Sequence, residues 1–338
     1  MPPGYFLYLC ILAAVVLIAG AGAVYWFALR PLPKTSGTIT APIASRATVV
    51  RDALGVPHIS AGSIEDALFV QGFVTAQDRL AQMDGLRRLA GGHLSEVVGV
   101  RCLELDREAR ALRIERLAER HAQALNAQDR ALLAAYARGV NHFIETHQGR
   151  LPLEFTALGY APRPWRVEDS ILVELGSFYM LTASWQAKLR KSVLLASGDA
   201  QKVEFLFPAR TPGECPLGSN SWAVAGSRTA SGRPLLANDP HVVYTIPGMW
   251  YLAHLKAPGL DVAGATIPGL PGVALGHNQW IAWGGTFLAY DVQDLYLEDL
   301  DPLTGRYVFR GQIEQADLER ETISVKGQRP VELNRWVT

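Results

Sequence analysis

The sequence changes character once, near residue 219, and this change constrains the fold more than any other feature. Before it, apolar residues recur at helical intervals, as in the stretch from Ser63 to Gly91 and in the one from Asn126 to His147. After it, short alternating apolar runs separated by glycine-containing turns indicate strands. The pattern predicts an α+β fold, mostly helical in its N-terminal part and β-rich after residue 219.

Three local expectations follow from the same patterns. Residues 168–192 predict one further helix, and Gly276, His277 and Asn278 are interpreted as a turn between two strands. Trp222, Trp280 and Trp283 are expected to pack in the core.

The first 30 residues form a separate segment. Residues 5–29 are almost wholly apolar, long enough for a helix to cross a hydrocarbon layer of roughly 30 Å. The basic start of a secretory signal is missing, although small residues at 19–23 resemble a cleavage site. We expect an uncleaved membrane anchor, with a removed signal as the alternative, and a protein exported to the periplasmic side or cell surface.

Composition and breaks in pattern define the remaining divisions. Residues 31–46 are rich in proline, threonine, serine and glycine and are interpreted as a linker before a helical part, 47–207. Residues 208–218 contain prolines at 208, 212 and 216 and form a second linker before the β-rich part, 219–338. The 32 basic residues balance 32 acidic ones without a basic stripe, which argues against a nucleic-acid partner.

The second linker ends in Gly218-Ser219, directly before a strand pattern. A serine hydroxyl is a poor nucleophile without a base. No histidine lies at a sequence distance from Ser219 that would mark it as this base. If the chain were cut before Ser219, its new α-amino group, with a pKa of roughly 7.7–8.0, could serve as the base. An ordinary glycine-serine turn is the alternative. A Ser-His-Asp hydrolase is disfavoured because the sequence has no Gly-x-Ser-x-Gly elbow.

Five short blocks, in order along the chain, carry a family resemblance: 51–59 (RDALGVPHI), 76–84 (AQDRLAQMD), 218–222 (GSNSW), 237–241 (ANDPH) and 276–278 (GHN). From about Ala47 onward the chain resembles the penicillin acylase family of N-terminal nucleophile hydrolases.

The resemblance implies a precursor that cuts itself at Gly218-Ser219 into an α and a β chain. It implies a four-layer αββα sandwich, incomplete in this chain, and hydrolysis of a small-molecule N-acyl amide through an acyl-Ser219 ester. Candidate substrates are β-lactam side chains, N-acyl homoserine lactones and other N-acyl amines. A truncated or inactive, membrane-anchored scaffold or binding protein is the alternative.

The resemblance also assigns roles to residues. Ser219 is the nucleophile, and His241 orients it, with a purely structural histidine as the alternative. The backbone N–H of Phe287 is one oxyanion donor, while the second, an asparagine, is expected beyond Thr338 in a longer protein. Tyr179 and Met180, with Phe287 opposite, are placed at the acyl pocket.

A calcium ion is implied at Asp291, the Gln293 carbonyl and Asp294, one per molecule, and no organic cofactor is expected. Two carboxylates flanking a carbonyl supply the hard oxygen ligands that Ca²⁺ prefers. The family's glutamate ligand from the α chain aligns with Gln186, which lacks the charge. A solvated acidic turn is the alternative.

Overall fold

The computed structural model describes residues 3–182, 184–207, 218–287 and 292–338. The α-helices in these ranges are α1 (Pro3–Val24), α2 (Ile64–Gly91), α3 (Ser95–Val98), α4 (Leu103–Ala111), α5 (Ile114–Ala124), α6 (Ala127–Thr146), α7 (Leu153–Leu158), α8 (Val167–Thr182), α9 (Trp185–Ser197) and α10 (Ala200–Leu206). The strands are β1 (Thr48–Arg51), β2 (Pro57–Ser60), β3 (Ser219–Val224), β4 (Leu235–Pro240), β5 (Tyr251–Ala257), β6 (Leu260–Thr266), β7 (Leu275–Asn278), β8 (Ala282–Trp283), β9 (Arg306–Phe309), β10 (Gln312–Gln315), β11 (Asp317–Ile323) and β12 (Val331–Val337).

Six strands form the main sheet, in the order β1-β2-β5-β6-β7-β8. All neighbours pair antiparallel except β2 and β5, which are parallel and join the part before residue 219 to the part after it. Strands β3–β4, β9–β10 and β11–β12 form separate antiparallel pairs within the described residues. Helices and antiparallel strands thus occupy different parts of the chain, as an α+β fold requires.

The core lies between the main sheet and helices α2 and α6. Leu255 and Val262 of the sheet share one buried cluster with Phe69 of α2 and Val140 of α6. In β5 alternate residues are buried, so that one face of the sheet meets the helices while the other faces outward. The predicted start of α2 is confirmed, since the Ser63 side chain accepts a hydrogen bond from the Asp66 N–H.

Helices α2 and α6 cross with their backbones almost in contact, because each contributes a glycine at the crossing. A Cβ on Gly139 would lie 1.8 Å from the Phe69 carbonyl oxygen, and one on Gly72 would lie 2.2 Å from that of Tyr136. No side chain larger than hydrogen fits at either position without a shift of the opposing helix.

A buried ion network fastens α2 to α8. The Arg87 guanidinium, 2% exposed, contacts Asp84 at 2.6 Å and Asp169 at 2.9 Å, and both carboxylates are fully buried. Burial alone would raise the pKa of each aspartate, but Arg87 with Arg88 at Asp84, and Arg163 with Arg87 at Asp169, hold both pKa values below the usual range. Loss of one partner would leave an uncompensated buried charge, which costs about 3–5 kcal/mol.

His93 is the pH-sensitive member of a neighbouring cluster. Its Nδ1 lies 2.7 Å from Glu96 and its Nε2 lies 3.0 Å from Glu115. Hydrogen bonds to Glu115 and Glu96 raise the pKa of His93 from 6.5 to about 9. A raised pKa stabilises the folded state fully below pH 6.5, and this contribution is lost as the pH rises through about 9.

We therefore expect the free energy of unfolding to fall by about 3 kcal/mol as the pH rises from about 6.5 through 9. In His93→Gln this fall should be absent, because no proton is taken up at this site on folding. Urea unfolding at intervals from pH 6 to 10 measures the slope. His121→Gln, at an exposed histidine of α5, is the control and should retain it; equal slopes in all three proteins would contradict the assignment.

Three local predictions were wrong. The helix predicted over 168–192 is two helices, because α8 ends at Thr182 and α9 begins at Trp185. Residues 276–278 form β7 because they pair with β6, and the turn lies one step later, where the Asn278 side chain accepts from the N–H groups of Trp280 and Ile281 at 2.8 Å. Trp222 and Trp280 are 58% and 87% exposed, because the β3–β4 pair and this turn face solvent in the described part of the chain.

The N-terminal helix is long and apolar enough to cross a membrane. Residues 7–29 have a mean hydropathy of 2.6, and none of them is buried. A signal sequence near the N-terminus passes the same test of length and composition, so an anchor and a removed signal both fit this segment.

Candidate active site

Ser219 is the first residue of β3, and the antiparallel pair with β4 fixes its surroundings. Ser219 stands opposite Pro240, which has no N–H to donate. The next residue, His241, donates its backbone N–H to the Gly218 carbonyl oxygen at 3.0 Å. The pairing of β3 with β4 therefore fixes the carbonyl group of the Gly218–Ser219 peptide bond, which is the group that a nucleophile would attack.

The imidazole of His241 is near Ser219 in the fold but faces other partners. Its Nε2 lies 2.9 Å from the Asp239 carboxylate and 3.4 Å from the Asn220 side-chain nitrogen. The structure thus brings the His241 backbone, rather than its ring, to the Gly218–Ser219 bond.

Asn238 ties this strand pair to the segment after β8. Its Nδ2 donates to the carbonyl oxygens of Asn220 at 3.0 Å and Gly285 at 2.9 Å, and its Oδ1 accepts from the Gly285 N–H at 3.1 Å. A Cβ on Gly284 would lie 2.7 Å from the same amide, so a side chain there would displace the Asn238 amide. Phe287, which is half-buried, lies two residues after Gly285. The predicted oxyanion loop is therefore fastened to the predicted nucleophile strand through one side chain.

A mostly apolar cavity of about 230 Å³ lies between α2, α4 and α8. The walls include both predicted pocket residues of α8, Tyr179 and Met180, but among the described residues Phe287 is not part of its lining. A cavity of this kind can take an apolar acyl or aryl group with a single polar anchor. Its lining residues are Leu86, Leu89, Ala90, Leu105, Glu108, Ala109, Ile114, Val173, Gly176, Ser177, Tyr179, Met180 and Gln186.

The polar end of the cavity is the Glu108 carboxylate. It accepts from the Tyr179 hydroxyl at 2.7 Å and from the Gln186 amide at 2.5 Å. Trp185 donates in turn to the Tyr179 hydroxyl at 2.9 Å. Burial, together with the bond to Glu108, raises the pKa of Tyr179, which stays protonated and a donor at neutral pH.

The predicted calcium ligands are only partly described, since Asp291 lies outside the described residues. The Gln293 carbonyl accepts from the Lys188 ammonium, which also lies 3.4 Å from the Asp294 carboxylate. The Gln293 side chain accepts from the Ser184 N–H at 3.0 Å. Because an ammonium already faces both described donor oxygens, and Gln186 binds Glu108 instead, the described residues alone do not form a calcium site in this arrangement.

Comparison with known proteins decides the family. A model of the penicillin amidase family matches residues 46–338. The chain belongs to the penicillin amidase family. The acyl-homoserine lactone acylase QuiP of Pseudomonas aeruginosa is 34% identical to this chain, and the alignment covers 93% of this chain and 42% of the length of QuiP. The penicillin acylase 2 proenzyme of Pseudomonas sp. (strain SE83) is 35% identical, over 88% of this chain and 43% of its own.

Among solved structures, a thermostable penicillin G acylase from Alcaligenes faecalis is 26% identical, with a TM-score of 0.42. The match covers 52% of this chain and 100% of the solved chain. The chain spans less than half the length of the curated relatives that it matches.

The first two blocks of the penicillin amidase resemblance meet in the fold and have a structural role. Arg51 of β1 binds both carboxylate oxygens of Asp78 in α2, at 2.8 and 3.1 Å, and the Gln77 side chain at 2.9 Å. The Tyr251 hydroxyl of β5 donates to the same carboxylate at 2.6 Å. These residues fasten β1, α2 and β5 together around the sheet.

Sequence reasoning missed Asn238, Gly285 and Glu108. Asn238 stands inside a matched block, so its position carried a signal. Glu108 has none, because it reaches Tyr179 only through the packing of α4 on α8.

Proposed function

We propose that this chain is part of a precursor that cuts itself between Gly218 and Ser219 and then hydrolyses N-acyl amides through an ester on Ser219. The observation that carries the proposal is the hydrogen bond from the His241 N–H to the Gly218 carbonyl oxygen. It is aimed at the oxygen that becomes negative when Ser219 Oγ adds to this carbonyl, and a preorganised donor of this kind stabilises such an oxyanion.

The cut proceeds in two balanced steps. Ser219 Oγ bonds to the Gly218 carbonyl carbon, the C–N bond breaks, and the serine proton passes to the leaving nitrogen. This leaves an ester of Gly218 on Ser219 Oγ and a free α-amino group on Ser219. Water hydrolyses the ester, releasing the Gly218 carboxylate and regenerating the hydroxyl.

Turnover reuses the same groups. The Ser219 α-amino group, neutral in part near pH 8, takes the hydroxyl proton as Oγ attacks the substrate carbonyl. It returns the proton to the leaving amine, and the acyl-Ser219 ester is hydrolysed by water. The Phe287 N–H is the proposed donor to the substrate oxyanion. His241, whose ring is held by Asp239 and Asn220, is proposed to orient Ser219.

The relatives and the cavity support the proposed substrate class. QuiP and the penicillin acylase 2 proenzyme are named for acyl-homoserine lactones and penicillins, both N-acyl amides. The apolar cavity beside Tyr179 and Met180 is the proposed site of the acyl group, and the Tyr179–Glu108 bond is its polar limit. We propose the family's four-layer αββα sandwich for the whole protein, exported and held to the membrane by α1.

N-terminal sequencing and intact mass of the full-length protein, after expression, test the proposal. The expected result is a second chain that begins at Ser219, together with release of amine from an N-acyl homoserine lactone or penicillin. An uncut protein that still hydrolyses these amides would overturn the mechanism. An uncut and inactive one would favour a scaffold or binding role.

Asn238 provides a test of the fastened oxyanion loop. Asn238→Ala removes both hydrogen bonds to Gly285, so the proposed oxyanion loop should no longer be held in position. We expect kcat to fall about ten- to a hundredfold, with KM little changed. Asn334→Ala, at an exposed asparagine of β12, is the control. Initial rates on the processed enzyme measure the effect, and an unchanged kcat in Asn238→Ala would show that this bridge does not position the loop.

A calcium ion at Asp291, Gln293 and Asp294 stays a prediction, and Lys188 makes it testable. Binding requires the Lys188 ammonium to leave the two oxygens that it contacts. Millimolar Ca²⁺ should then raise Tm by about 2 °C or more, and by more still in Lys188→Met, where the competing cation is gone. Asp294→Asn should remove the shift. Equal Tm values with Ca²⁺ and with a chelator, in the wild type and in Lys188→Met, would contradict a calcium site.

A further inference from the structure

Two histidines face each other on the outer side of the main sheet. His58 of β2 and His254 of β5 are register partners across the parallel pair, and their Nδ1 atoms lie 3.0 Å apart. Their neighbours Ile59 and Leu255 point into the core, so the alternation along each strand places both imidazoles on the outer face. The two side chains are 42% and 27% exposed, so water reaches the gap between them.

The second nitrogen of each ring lies against a carboxylate. His254 Nε2 is 2.8 Å from Asp261 Oδ1, and His58 Nε2 is 3.5 Å from Asp52 Oδ2. An ionised carboxylate can only accept a hydrogen bond, so these contacts favour the tautomer with the proton on Nε2 in both rings. Each Nδ1 then carries a lone pair, and both lone pairs face the same gap.

Two ring nitrogens 3.0 Å apart either share a proton in a hydrogen bond or direct both lone pairs at one bound cation. A metal ion at roughly 2.0–2.1 Å from both nitrogens would subtend an N–metal–N angle of about 90–97°. That angle is close to the right angle of square-planar or octahedral Cu²⁺ and Ni²⁺ sites, and imidazole is a suitable ligand for both ions. A carboxylate behind each ligating imidazole is the usual supporting arrangement. We propose that His58 and His254 chelate one divalent cation of this class through their Nδ1 atoms.

The described residues supply two ligands and no more. No group of three or more His, Cys, Asp or Glu side chains in the described ranges could hold a metal ion, and we assign the remaining coordination positions to water. The site joins β2, which precedes residue 219, to β5, which follows it. If the chain is cut as proposed above, the cation links the two resulting chains. Only this link between two chains rests on the proposed function; the metal site itself does not.

Calorimetric titration of the full-length protein, free of any histidine tag, with NiCl₂ at pH 7.5 tests the site. We expect one Ni²⁺ per protein. His58→Gln and His254→Gln should each weaken binding at least tenfold, because each removes one of two protein ligands. Asp261→Asn should weaken it about 10- to 100-fold by releasing the His254 ring.

Three further measurements make the result decisive. His121→Gln, at an exposed histidine outside the sheet, should bind Ni²⁺ as the wild type does. Ser219→Ala should also bind normally, which separates this site from the proposed cleavage. Ni²⁺ should raise the Tm of the wild type and not that of His254→Gln. Because each protein is compared with and without Ni²⁺, this test also works for a variant of lowered stability. Absence of binding in the wild type, or unchanged binding in both histidine variants, would overturn the proposal.

Discussion

Replacing Ser219 by alanine should leave the chain uncut and lower amide hydrolysis by about 10⁴-fold or more, since the proposed nucleophile of both reactions is removed. The polarised Gly218 carbonyl would remain, because the His241 N–H that holds it belongs to the backbone. Denaturing gels and intact mass would show a single chain, and amine release would fall to background. The strand itself should persist, because its pairing with β4 uses only backbone groups.

Two variants on the same strand pair sharpen this result. Ser221→Ala, two residues further along β3, removes a hydroxyl from the same strand and should be cut and active like the wild type. Ser219→Cys retains a nucleophile and should still be cut, with turnover changed according to the thiol's reactivity. An alanine variant cut at the same bond would show that a protease, and not the chain itself, makes the cut.

The parts of the fold predictable from sequence are those with a strong local signal. The long apolar repeat between Ser63 and Gly91 forms α2, with the Ser63 side chain as its N-cap and Gly92 as its C-cap. Strands β3 and β4 each carry a short apolar run, at 222–224 and 235–237, and each overlaps a matched block. The position of His241 beside Gly218 also follows from those blocks, whereas the direction of its ring does not, because Asp239 and Asn220 compete for it.

The two central strands of the main sheet were not predicted. Residues 251–257 and 260–266 contain alanine, glycine, lysine and aspartate, which have low strand propensity. They form β5 and β6 because each pairs with a strand on both sides and buries one face on the helices. Contacts set by such packing, like those of Asn238 with Gly285 and of Glu108 with Tyr179, have no counterpart in local sequence.

Replacing Gly139 by alanine should destabilise the protein strongly, by about 3 kcal/mol or more. The added Cβ would lie 1.8 Å from the Phe69 carbonyl oxygen and 2.9 Å from the Phe73 nitrogen, both backbone atoms of α2. Overpacking of a core typically costs about 1–3 kcal/mol, and here no flexible side chain can move aside, so the two helices must separate. The separation would open the cluster that joins α2 and α6 to the sheet, which adds the cost of lost packing.

Gly85 supplies the matched control for this prediction. It lies in the same helix, α2, and a Cβ there would meet nothing within 4 Å. Gly85→Ala should therefore stabilise the protein by about 0.5–1 kcal/mol, because alanine loses less conformational entropy in a helix than glycine does. Urea unfolding of both variants measures the two free energies. Opposite signs would establish that the glycine at the crossing is required by the contact with α6, and a stabilised Gly139→Ala would show that the helices do not approach this closely.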